Sequence, residues 1–124
     1  SRGLGDVYKR QGCGAFRYPV RVLTWCEVFM ALEHMVWLTP KAGVSEEKME
    51  EILQSIRMLT HLPGVVAISA GKNITDRANG ATQGVLVTLE SPEYLPQYLN
   101  HSDHQAVGVT LREHCEVLAL DYER

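Results

Sequence analysis

LEHMVWLT, residues 32–39, alternates along its length: Leu32, His34, Val36 and Leu38 fall on one side, Met35 and Trp37 on the other. Successive side chains of a β-strand point to opposite faces, so this stretch reads as a strand with two largely apolar sides. Pro40-Lys41-Ala42-Gly43 closes it with turn residues.

Outward from that strand, Ser45 is suited to cap a helix, and Glu46 and Glu47 put negative charge on its first turn, where the helix dipole favours it. Met49, Ile52, Leu53, Ile56 and Leu59 then recur at helical spacing, a stripe that faces a core. The helix is expected to stop near His61-Leu62-Pro63-Gly64. Val65–Ala70 reads as a second strand, Gly71–Ala81 as a polar loop, and Gln83–Leu89 (QGVLVTL) as a third strand. Ser91-Pro92 opens a short helix carrying Tyr94, Leu95, Tyr98 and Leu99. Pro96 lacks an N–H and its ring clashes with the preceding turn, which should limit this helix to a turn or two, or bend it. His101-Ser102-Asp103-His104 opens a third helix, with Ser102 or Asp103 as the expected cap, and Glu116–Tyr122 (EVLALDY) closes the chain as a fourth strand. The order predicts an α+β domain, a four-stranded antiparallel sheet with helices on one face. Those helices leave the Met35/Trp37 side bare. An apolar face of that size is unusual for a soluble monomer, and the economical cover is a second copy in a two-fold homodimer.

The chain has 124 residues, enough for one core and too few for two. Residues 1–29 hold five Lys or Arg against Asp6 and Glu27, a net +3, while residues 30–124 hold seven basic against thirteen acidic side chains, a net −6. An acidic domain repels phosphate backbones, which argues against a nucleic-acid partner. No run of about eighteen uncharged apolar residues occurs, so no membrane-spanning helix and no membrane partner are expected. Residues 1–29 show neither helical nor alternating period, and Ser1–Gln11 (SRGLGDVYKRQ) resembles translated sequencing-adaptor DNA. The expected organisation is a non-native or disordered leader over 1–29 and one domain over 30–124, beginning at Met30. Cys13 and Cys26 fall in that leader, which leaves Cys115 alone in the domain. One thiol forms no intrachain disulfide, so a reducing cytoplasm is the expected location.

On the third helix His104, Val107 and Leu111 share one face, which should look onto the sheet where His34 lies beside Val36 and Leu38. Tyr98 shares a face with Leu95 and Tyr94 on the preceding helix. Two imidazoles and a phenol would then line an apolar cleft between sheet and helices, the usual place for a small-molecule site. His104 and Tyr98 are the candidate catalytic residues; His34, Val36, Tyr94, Val107 and His101 are the candidate ligand contacts. An imidazole with pKa near about 6.5 takes a proton at neutral pH, whereas a phenol near about 10 stays protonated and donates. His101, His104 and His34 offer three nitrogens, but no carboxylate or thiol at ligand spacing accompanies them, so neither a metal nor another cofactor is expected. The sequence gives no charged anchor in the cleft. There is no Gly-rich phosphate loop and no Ser-x-Gly nucleophile elbow. Ordinary structural roles compete at each position: His101 suits a cap or rim, Tyr98 can pack with its hydroxyl at a rim, His61 and His114 suit solvated helix ends, and Cys115 suits an inert packed thiol.

The stretches EHMVWLTP, AGVSEEKMEEIL, QYLNHSDHQAV and VLALDYE together resemble the stress-responsive A/B barrel (dimeric α/β barrel) family, over about His34 to Tyr122. QYLNHSDHQAV is similar to the family's Tyr-x-x-His-Pro-x-His stretch, except that Ser102 stands where the family usually has Pro. The resemblance implies a ferredoxin-like fold. The family includes plant stress proteins and a plant polyketide cyclase that closes a poly-β-ketone by aldol condensation. Carried over by position, that enzyme's catalytic Tyr and His fall on Tyr98 and His104, and its first-strand His on His34. Three functional readings follow: a dimer holding a small apolar or aromatic compound without turnover, a cofactor-free cyclase-like enzyme, or a structural homo-oligomer.

Overall fold

The strand read from alternation, β1 (Leu32–Pro40), lies in the interior of a four-stranded sheet in a computed structural model that describes residues 30–124. Residues 1–29, with the expected leader, Cys13 and Cys26, lie outside the described residues. After β1 come α1 (Glu46–Arg57) with a 3-10 turn (Met58–His61), β2 (Val65–Lys72) and β3 (Gln83–Leu89). A 3-10 turn (Pro92–Tyr94), α2 (Leu95–Asn100), α3 (Ser102–His114) and β4 (Cys115–Glu123) complete the described residues. The sheet order is β2-β3-β1-β4 with every neighbour antiparallel, the ferredoxin-like β-α-β-β-α-β topology.

Local chemistry explains where the helices begin. The Ser45 side chain accepts the Lys48 backbone N–H at 3.0 Å, and Met49, Ile52, Leu53 and Ile56 are the buried stripe that follows. α2 is six residues long, within the turn or two expected, and it starts at Leu95, so Pro96 falls in the first turn, where no intrahelical N–H is needed. The cap of α3 is His101, the capping role weighed for it, and not Ser102 or Asp103. His101, with extended backbone, accepts the Asp103 N–H on its Nδ1 at 3.0 Å, and Ser102 and Asp103 are already helical.

The helices cover one face of the sheet. Leu32, Val36 and Leu38 of β1 and Val85, Val87 and Leu89 of β3 pack there against α1, Tyr98 and Leu111. Cys115 belongs to this core, its thiol 3.6 Å from the Met49 sulfur, and burial pushes its pKa up. On the opposite face Trp37 is 41% exposed, Leu118 64%, Leu120 59% and Tyr122 45%. This is the bare apolar face that the alternation of β1 implied. No helix among the described residues is long and apolar enough to cross a membrane.

Candidate functional site

Between the sheet and the helices lies a cavity of about 190 Å³. Its floor is Val36, Val85 and Val87, and α1, its following turn and α3 supply Ile56, Leu59, Val107 and Leu111. Val117 and Ala119 of the edge strand β4 form a further wall, and Val117 is 40% exposed, so the cavity borders solvent along that edge. Three polar rings project into this apolar setting. Tyr98 and His104 stand 4.6 Å apart between ring centroids, His34 and Tyr98 5.7 Å, and His34 and His104 6.5 Å.

Each ring arrives from a different element. His34 comes from near the start of β1, on the same face as Val36. Tyr98 comes from α2, placed there by the short helix that Pro92 and Pro96 start. His104 comes from the first turn of α3, fixed in phase by the His101 cap. Tyr98 is only 1% exposed, and its hydroxyl has no hydrogen-bond partner among the described residues. Burial pushes its pKa up to about 12, so the phenol keeps its proton and can only donate or accept as a neutral group near pH 7.

His104 is shifted the other way. Burial lowers its pKa below the usual histidine value, and the positive potential of His34, Arg112 and His101 adds to the effect, while the Leu99 backbone beside it opposes the shift. The imidazole is therefore neutral at pH 7 and has a lone pair available to a proton. His34 is oriented by a residue that the sequence reading did not single out. Its Nδ1 lies 2.5 Å from Asp121 Oδ1, across the directly opposed pair His34–Asp121 of β1 and β4. An ionised carboxylate only accepts, so Nδ1 carries the proton. The available signal was the period of β4, which puts Val117, Ala119 and Asp121 on one face; the pairing register that brings Asp121 to His34 spans 87 residues of sequence.

The sequence reading named no charged anchor for the cleft; the structure puts one cation, Arg112, in the cavity lining. His104, Gly108 and Arg112 are spaced four apart on α3, a stripe readable in the sequence. Of the expected site residues, His34, Val36, Tyr98, His104 and Val107 meet at this one cavity. Tyr94 and His101 do not line it. Tyr94 sits in the 3-10 turn, out of phase with Tyr98, and its ring covers Gly64, where a Cβ would come within 2.3 Å of Tyr94 Cγ; Gly64 also has φ +82°. His101 spends a ring nitrogen on the α3 cap and faces His61 at 6.3 Å, while His61 Nε2 lies 2.8 Å from Asp103 Oδ2. His114 directs Nδ1 to the Thr110 carbonyl at 2.8 Å. Among the described residues no group of three or more His, Cys, Asp or Glu is arranged to hold a metal ion.

Residues 32–124 match the family model described as the Stress responsive A/B Barrel Domain. Olivetolic acid cyclase of Cannabis sativa is 30% identical over 97 residues, which covers 75% of this chain and 96% of the cyclase. A dimeric ferredoxin-like protein of unknown function from Jannaschia sp. CCS1 is 25% identical with a TM-score of 0.67, over 76% of this chain and 99% of that one. The hydroxynitrile lyase of Passiflora edulis shares the fold, with a TM-score of 0.70 at 17% identity over 77% of this chain and 94% of its own.

Proposed function

The chain belongs to the stress-responsive A/B barrel family, and from that premise we propose that it binds a small apolar or aromatic compound in the cavity and turns it over without a cofactor, using Tyr98 and His104 as an acid–base pair. The observation that carries this reading is the Tyr98 hydroxyl, buried beside a neutral imidazole with no hydrogen-bond partner among the described residues. A buried hydroxyl without a hydrogen bond is costly, and such groups in native proteins call for an explanation. A carbonyl oxygen seated in the cavity supplies one.

The chemistry is a ring closure of the aldol type. His104 accepts an acidic α-proton lying between two carbonyl groups, and the electron pair moves onto the enolate oxygen, which Tyr98 holds by donating its O–H. The enolate carbon attacks a ketone carbon of the same molecule, and the proton held by His104 passes to the alkoxide formed there. Proton transfer of this kind is worth about 10²–10⁴-fold, and apolar walls that hold a flexible chain folded add to it by bringing the reacting carbons together. The likeness to olivetolic acid cyclase across 96% of that enzyme supports the same reading. His34, held by Asp121, orients the carbonyl from the sheet side, with Val36 and Val107 as apolar contacts.

We further propose that the protein is a homodimer through its bare sheet face, a reading supported by Trp37, Leu118, Leu120 and Tyr122 and by the dimeric description of its structural neighbour. Cys115, the one thiol among the described residues, is buried and free, which fits a cytoplasmic location. Turnover is tested by incubating the full chain with a poly-β-ketone carboxylic acid and measuring cyclised product. Wild type should exceed His104→Gln by about 10²–10⁴-fold; equal rates in the two proteins sink the catalytic reading.

A further inference from the structure

We propose that Arg112 anchors a carboxylate, so that the ligand of this cavity is an apolar or aromatic acid; the inference rests on the cavity reading above and adds a substrate class to it. Arg112 is the cation that lines the cavity, at the end of the His104–Gly108–Arg112 stripe. Its guanidinium lies back along α3 over Gly108, with Nη1 3.2 Å from where a Cβ on that glycine would be. A larger residue at 108 would crowd the guanidinium. Glycine lets the cation lie against the helix beside the apolar wall.

What the guanidinium lacks is a partner. Residues 30–124 carry thirteen acidic side chains, yet Arg112 makes no ion pair and no side-chain hydrogen bond among the described residues. Asp121 and Asp103 are engaged by His34 and His61, and neither Glu113, the next residue, nor Glu116, four residues on, pairs with the guanidinium among the described residues. Arginine presents five donors in a planar fork that matches a carboxylate, and charge-assisted pairs of this kind are the strong ones. The competing role is a cation in the last turn of α3, favourable to the helix dipole. That role needs only charge near the helix end and gives no reason for a guanidinium folded over Gly108 at a cavity.

A carboxylate on Arg112 also changes His104. The groups facing His104 are His34 from β1, Tyr98 and the Leu99 backbone from α2, and His101 and Arg112 from the ends of α3. Arg112 is among the cations that hold its proton affinity down. An anion seated on the guanidinium offsets that charge, and the base strengthens when its acidic ligand is in place.

Calorimetric titration of the full chain with para-butylbenzoate and its uncharged counterpart para-butylbenzamide tests the anchor. The benzoate should bind at least about tenfold more tightly in wild type. Arg112→Met should erase that preference, while Arg112→Lys retains part of it, since an ammonium keeps the charge without the fork. Saturating benzoate should raise the titration midpoint of the His104 ring in wild type and not in Arg112→Met, a readout that a charge at a helix end alone would not move. Benzamide binding that shifts the Tyr98 and His104 ring signals, with benzoate no tighter or with a preference that survives Arg112→Met, overturns the anchor and leaves the cavity reading standing. If neither compound perturbs those ring signals, the cavity reading fails and the anchor fails with it.

Discussion

β1 places one titratable residue in each face of the sheet, and the two are treated in opposite ways. On the open face Glu33 is 2% exposed and fully partnered: Thr88 Oγ1 donates to it at 2.6 Å and the Arg124 guanidinium pairs with it. On the helix face the polar groups meet in a cavity, and the most buried of them, Tyr98, has a hydroxyl with no partner among the described residues. A buried carboxylate that spends its lone pairs within its own chain is doing structural work. A buried hydroxyl that does not is available to something else. The open face is thus exposed apolar surface, and the helix face is where the polar rings meet, although both belong to one alternating strand.

The largest expected effect separates the faces outright. Leu118 stands opposite Trp37 on the bare side and is exposed, so Leu118→Glu should change the stability of the single chain by about 0.5 kcal/mol or less. Buried in an interface, the same carboxylate would be left without a partner at a cost of several kcal/mol, and a micromolar dimer should dissociate. Sedimentation of wild type and variant reads this directly. A wild-type chain that sediments as a monomer ends the dimer reading, and a variant that stays dimeric moves the interface away from Leu118.

Tyr98→Phe sharpens the other side of the comparison. Removing a hydroxyl that has no partner among the described residues should stabilise the free protein by about 1 kcal/mol, a rise of roughly 4–8 °C in Tm for a domain of this size. Turnover should move the opposite way and fall by about 10²–10³-fold, the usual loss when one donor to a developing oxyanion is removed. Stability and activity shifting in opposite directions is the signature expected of a group held for a ligand. A variant that loses stability and activity together would make Tyr98 a packing residue.

How much of this could be read in the chain depends on the range of the interaction. The alternation of LEHMVWLT and the stripe Met49–Leu59 are local periods, and both survive folding unchanged because they encode which face is apolar. The meeting of His34, Tyr98 and His104 was also legible, since each sits on the inner face of its own element. Tyr94 was not, because a 3-10 turn has a different period from the helix after it, and three residues of that turn rotate the ring away from Tyr98. His101 was taken up by a backbone N–H two residues on, a competition that spacing alone does not decide. Asp121 required the β1–β4 register, which no local pattern contains.

The smallest effect is a difference between two histidines. His104 is depressed by burial and cationic neighbours, whereas His61 is raised chiefly by its hydrogen bond to Asp103, in the open. The signs follow from linkage. With its folded pKa below the unfolded value near about 6.5, His104 binds fewer protons when folded, so the stability it permits is present above that value and is lost as pH falls. His61 does the reverse: its contribution is complete below about 6.5 and fades as pH rises through its elevated folded pKa. Ring-proton titration by NMR should therefore place the His104 midpoint below, and the His61 midpoint above, that of free histidine side chains. The acid limb of turnover should follow His104 and be unmoved in Asp103→Asn, a change that should return His61 toward its ordinary value. If the acid limb moves with His61 instead, the base that matters sits in solvent at the end of the turn after α1, and the cavity loses its claim to the proton transfer.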